Sequence, residues 1–171
     1  MRAGRIQGMK RLLIVHYSLT GGTAQMAEAA EQAAAQEASV EIRHLTALEA
    51  GPRDMREADG YLFATPEMLA AMAGLMKDFF DRCYYPLLGQ IEGRPYAAMI
   101  CAGTDGTNAA RQMARIATGW RLRAVAEPLI LRNGAQTPHA ILAPKHWPAA
   151  SLTRCEELGQ ALAAGLALGV F

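Results

Sequence analysis

Apolar and polar positions alternate along the chain in two rhythms, and those rhythms predict the elements. Residues 12–17 are a continuous apolar run centred on Leu13, Ile14 and Val15, the pattern of a strand covered on both faces. Residues 23–36, dense in Ala, Glu and Gln, predict a helix whose small side chains let it lie close to a sheet. Residues 39–45 alternate, with Val40, Ile42 and His44 on one side, and predict a shorter strand nearer an edge. Gly51-Pro52 marks a loop, and residues 58–65 form a third strand that Pro66 stops. Leu69, Met72, Ala73, Met76, Phe79, Phe80 and Cys83 then recur at helical spacing opposite Lys77, Asp78, Asp81 and Arg82. Residues 95–101 predict a fourth strand, followed by a glycine-rich turn and a helix to about residue 118. Residues 122–131 predict a fifth strand that Pro128 makes an edge strand or a broken one. Leu152, Cys155, Leu158, Leu162 and Leu166 set a closing helix. Residues 1–9 carry no periodicity and are expected to be a loose leader.

Strands alternating with helices give an α/β fold with a parallel sheet, since right-handed crossovers place helices on both faces. Ligands in such sheets bind beyond the carboxyl ends of the strands, where strand order reverses. In the order 2-1-3-4-5, the loops at residues 18–23, 65–68 and 102–107 are neighbours.

Composition narrows the partners. The 171 residues fit one domain, expected over residues 10–171, with 51% hydrophobic and 19% charged residues and a net charge of +1. Basic residues are scattered, without the clustered footprint of a nucleic-acid binder. No apolar run is long enough to span a membrane, and the apolar segment after the basic start is too short for a signal peptide, so a cytoplasmic location is expected. Cys83, Cys101 and Cys155 form no C-x-x-C and suit buried apolar roles; His16, His44, His139 and His146 show no metal-type spacing. No metal is expected. The chain is expected to form a homo-oligomer.

The first turn carries the chemistry. Ser18, Leu19, Thr20, Gly21, Gly22 and Thr23 lead from strand into helix, where unpaired N–H groups and the aligned peptide dipoles favour an anion. Hydroxyls add donors and the glycines let the main chain approach a ligand. No basic residue lies in the turn, so a Walker loop is excluded; adjacent glycines and a second strand ending Arg43-His44-Leu45 exclude a dinucleotide fingerprint. A monophosphate held by hydroxyls and amides remains.

This turn closely resembles the S/T-x-T-G-x-T phosphate loop of the flavodoxin-like FMN proteins. Thr65-Pro66-Glu67 is similar to the T-P-E of NAD(P)H-dependent FMN reductases, and residues 72–82 to the helix that follows it in flavodoxin-like quinone reductases. The resemblance implies a flavodoxin-like three-layer sandwich, with a five-stranded parallel sheet and FMN as cofactor. It places Thr65, Pro66, Glu67 and Met68 along one side of the isoalloxazine ring, and Ala102, Gly103, Thr104, Asp105 and Gly106 along the other. Relatives carry an aromatic residue or Asn-Gly after T-P-E, where this chain has Met68-Leu69-Ala70-Ala71. Trp147 is either a core or interface residue or a cover for the site. Asp105 is expected to point away from the ring or to cap the next helix.

The implied activity is hydride transfer from NAD(P)H to FMN and on to a quinone or similar acceptor, with no catalytic side chain required and the loop amides at residues 103–106 stabilising negative charge. Two alternatives stay open. A flavodoxin-type one-electron carrier wants an acidic surface that Lys+Arg 17 against Asp+Glu 16 does not supply. A flavodoxin-fold binding or regulatory domain that has lost FMN fits the altered loop after Glu67.

Overall fold

The computed structural model describes residues 8–171, so residues 1–7 of the expected leader lie outside the described residues. The chain runs β1 (Lys10–His16), α1 (Gly22–Ala34), β2 (Val40–Thr46), α2 (Pro52–Glu57), β3 (Gly60–Met68), β4 (Ala71–Met72), α3 (Gly74–Leu87), β5 (Pro95–Ala102), α4 (Thr107–Gly119), β6 (Arg123–Ala124), β7 (Leu129–Arg132), α5 (Pro138–Leu142) and α6 (Ala149–Leu168). The sheet order is β2-β1-β3-β5-β6, with β7 continuing on β5 beyond β6. All these pairs are parallel. The expected 2-1-3-4-5 order is therefore realised, β5 standing as the fourth strand and β6 with β7 as the fifth.

Alternation along the strands divides the core into two layers. Leu13, Val15, Tyr61, Phe63 and Tyr96 face Met76, Phe79 and Phe80 of α3 and Trp120, while Leu12, Ile14, Leu62, Ala97 and Met99 face α1 and α6. In the second layer α1 and α6 lie close together. A Cβ on Gly159 of α6 would stand 2.1 Å from the Ala30 carbonyl oxygen, so the two backbones touch only because that residue is glycine. Arg11, 2% exposed, ties β1 to β2 and α2 through Glu41 and Glu57, each at 2.9 Å.

Three expectations are corrected. Pro66 does not stop its strand, which runs on to Met68 with Pro66 beside Cys101. Tyr17 donates to the Ala64 carbonyl, so Pro66, two residues on, turns its nitrogen to the same side, where β1 has already ended and no ladder bond is lost. The helix expected from Leu69 begins only at Gly74, because residues 67–72 fold as a hairpin. The loop at Gly51-Pro52 opens a short helix with Pro52 at its first position. The fifth strand is broken, one of the two forms expected of it, with Pro128 in the gap between β6 and β7.

Candidate functional site

The carboxyl ends of β1, β3 and β5 open into a cavity of about 680 Å³, within the range of cofactor pockets. Leu19 and Thr20 come from the first turn; Pro66, Glu67, Met68 and Leu69 from the β3–β4 hairpin; Cys101, Gly103 and Thr104 from the end of β5. The three loops named from sequence thus meet at one place.

The first turn is built as an anion cradle. Gly21 sits at φ 87°, a conformation that favours glycine, and caps α1. Its N–H donates to Ser18 Oγ at 3.2 Å, closing the turn on itself. Among the described residues, the amides of Gly22, Thr23 and Ala24 have no acceptor, as the first turn of a helix requires. Thr23 is 1% exposed, and its hydroxyl is a buried polar atom with no hydrogen-bond partner. Such an orphan is rare in a native fold, and its neighbour here is the weakly hydrogen-bonding Cys101 thiol. Gly22 cannot be larger, since a Cβ there would stand 2.7 Å from Cys101 Sγ.

The third-strand loop divides its labour. Thr65 is fully buried and turned away from the cavity; its Oγ1 accepts from the Ala73 amide at 3.1 Å and pins the base of the hairpin. Glu67 lines the cavity while its Oε2 accepts from the Gly106 amide at 2.5 Å, tying the hairpin to the start of α4. Leu69 and Ala70 form the tip with φ of 50° and 61°, and Leu69 is fully exposed.

At the end of β5, Ala102 and Gly103 offer their carbonyls to Asn133 and Gly134 at 3.0 and 2.8 Å. Gly103 has no room for a Cβ, which would meet the Ala135 carbonyl oxygen at 2.8 Å. Gly106, at φ 88°, caps α4, and its amide is already spent on Glu67. Thr104 lines the cavity, and its amide has no acceptor among the described residues. Asp105 points away from the cavity and accepts from the Thr107 hydroxyl at 2.7 Å, a bond that holds its carboxyl below the usual range.

One wall was not read from sequence. Asn133, Ala135, Gln136, Ile141, Leu142 and Lys145 close the cavity's far side. The Asn133-Gly134 turn and the Thr137-Pro138 start of α5, where Thr137 Oγ1 accepts from Ala140 N, were the available signals. Lys145 Nζ donates to the carbonyls of Ala140, Ile141 and Ala143, and its backbone N–H donates to Thr20 O at 2.8 Å. Gln25 reaches from α1 to the Lys145 carbonyl at 2.6 Å and accepts from Trp147 N. Trp147 Nε1 donates to the Gly22 carbonyl at 3.1 Å, so Trp147 braces the first turn from outside rather than covering the cavity.

Among the described residues, Glu67 and Lys145 are the ionisable side chains on the cavity wall besides Cys101, whose thiol burial pushes up, and no aromatic ring lines it. Leu19, Leu69, Ile141 and Leu142 leave exposed aliphatic surface at the rim. Among the described residues, no group of three His, Cys, Asp or Glu side chains could hold a metal. No described helix is long and apolar enough to cross a membrane.

Comparison with known proteins fits this geometry. An NAD(P)H dehydrogenase (quinone) of Acidithiobacillus ferrooxidans is 31% identical over 94 residues, covering 43% of this chain and 47% of that protein. A flavodoxin of Aquifex aeolicus is 31% identical over 98 residues, covering 57% and 53%. The chain thus spans about half the length of these curated relatives. An archaeal flavodoxin superposes with a TM-score of 0.72 at 18% identity, covering 91% of this chain and 98% of that one. Rubredoxin oxygen:oxidoreductase of Desulfovibrio gigas gives 0.74 at 14%, covering 96% of this chain and 38% of that one. These likenesses establish a flavodoxin-like fold. The family described as NADPH-dependent FMN reductase matches residues 9–135, and the chain belongs to that family.

Proposed function

We propose that residues 10–171 bind FMN in this cavity and pass a hydride from NAD(P)H to it and on to a quinone or similar flat acceptor. The observation that carries the reading is the buried, unpartnered Thr23 hydroxyl beside three unpaired helix amides, in the turn whose Leu19 and Thr20 line a cavity with aliphatic walls. Bound FMN supplies the hydride chemistry.

The chain's own residues do the rest. The amides of Gly22, Thr23 and Ala24, with the hydroxyls of Thr20 and Thr23, fit a phosphate in number and kind. Leu19, Met68, Leu69, Ile141 and Leu142 offer the apolar surface that a flat ring needs and keep water from it. The free Thr104 amide is the donor on the β5 side that favours negative charge at the ring's polar edge. Glu67 holds the hairpin in place and carries no proton-transfer role.

Titration of the protein with FMN and with riboflavin, read by flavin fluorescence quenching, tests the reading. FMN is expected to bind at least about tenfold more tightly, because riboflavin lacks the group that takes the charge-assisted hydrogen bonds. NADPH added anaerobically should then bleach the bound flavin. Equal affinities for the two flavins refute the phosphate site. A bound flavin that NADPH leaves coloured but a one-electron donor reduces halfway moves the chain to the electron carriers.

A further inference from the structure

A second cavity, of about 630 Å³, lies on the other side of the same hairpin, between α3 and α4. Its floor is apolar, with Met72 and Ile116, and each of its ionisable lining residues is a cation: Lys77, Arg111 and Arg115. Lys77 is held by Asp81 at 2.6 Å. Arg111 donates only to the neutral side chain of Asn108, at 2.7 Å, and Arg115 has no partner among the described residues. Two like charges one helical turn apart repel each other, and here no carboxylate relieves them. The arrangement is unfavourable for the protein alone and favourable for a bound dianion.

The hairpin joins the two cavities. Met68 and Leu69 line the first, Ala71 and Met72 the second. Met72 N donates to Gln112 Oε1, and Asn108 Nδ2 to the Ala70 carbonyl, so the hairpin is fastened to the same helix that presents the arginines. A ligand crossing the hairpin places one end beside each cavity.

Resting on the proposed hydride donor, we propose that this groove receives the adenosine half of NADPH, with Arg111 and Arg115 on its 2′-phosphate and Met72 and Ile116 beneath the base. A phosphate monoester carries close to two negative charges near neutral pH and matches two guanidinium forks. NADH, which has a hydroxyl in that place, gains nothing from the pair. The groove therefore makes the reductase prefer NADPH.

The test uses the full chain and the double variant Arg111→Ala/Arg115→Ala, both exposed positions that the fold does not need. Calorimetry with 2′,5′-ADP should show binding to the parent and a loss of at least about tenfold in the variant, with 5′-AMP weak and unchanged in both. The KM for NADPH should rise about as much, that for NADH by less than about twofold, and the FMN affinity should not move. Arg111→Lys/Arg115→Lys should recover part of the loss, since charge remains without the fork. Unchanged 2′,5′-ADP binding overturns the proposal. So does an equal loss for NADPH and NADH, which puts the arginines on the pyrophosphate, or a change in oligomeric state without a change in preference, which makes the groove a contact between copies. FMN that fails to bind the parent refutes the flavin reading instead, whereas a flavin that NADPH reduces equally well in parent and variant refutes the groove alone.

Discussion

At the scale of single residues, the site shows its purpose through a cost. A buried hydroxyl without a partner destabilises a fold by about 1–3 kcal/mol, and Thr23 carries one in the helix turn proposed to receive the phosphate. Thr23→Val keeps the shape and removes the orphan. The variant is expected to melt at the same temperature as the flavin-free parent or higher, while its FMN affinity falls about tenfold. A variant that melts lower and binds FMN unchanged would show that the hydroxyl serves the protein, through its neighbour Cys101. The hydroxyls and glycines of this turn were legible in sequence because each does its work locally. Glu67 was legible as a site residue but not in its role, since its bond to Gly106 joins positions far apart in the chain.

At the scale of elements, the hairpin at residues 67–72 is the part that patterning missed. Two-residue hairpin turns that need φ > 0 at both central positions are announced by Asn-Gly or Asp-Gly, and this one is made by Leu69-Ala70. Nothing in the residue types distinguished it from the first turn of an amphipathic helix. Holding an L-residue left-handed costs about 1–2 kcal/mol. Ala70→Gly removes that strain at Ala70 and loses about 0.5–1 kcal/mol to the freer unfolded chain. The net expectation is a gain of up to about 1.5 kcal/mol, or roughly 3–6 °C in melting temperature at that upper end, readable by calorimetry. A lower melting temperature would mean that the tip is not strained. The strain lies where Leu69 is thrust, fully exposed, over the cavity rim. The parallel sheet needed no such detail, because apolar runs separated by helix-length segments call for right-handed crossovers, and its strand order followed from the resemblance to the flavodoxin-like proteins. The wall at residues 133–145 has neither rhythm nor a strong motif, and its contacts to Thr20, Gln25, Ala102 and Gly103 place it.

At the scale of the whole molecule, one chain of side chains makes stability depend on pH. Glu31 on α1, His44 on β2 and His16 on β1 are linked at 2.7 and 2.8 Å. Burial, and then repulsion from His44, lowers the His16 pKa below its ordinary 6.5. As pH falls through 6.5 the unfolded chain takes up this proton before the folded one does. Stability from this source is therefore complete above that pH and declines as pH drops toward the folded pKa. Urea unfolding from pH 7.5 to 5 should show the decline, and His16→Gln should flatten it; an equally steep slope in the variant would assign the acid sensitivity to other groups.

Translation runs from the first turn toward α6, and the turn proposed to hold the phosphate is braced only when Lys145 and Trp147 have closed on Thr20 and Gly22 and α6 has packed on α1. What is made earlier must wait for what is made later, so a nascent chain that stops before residue 145 has its sheet strands made and its first turn unbraced.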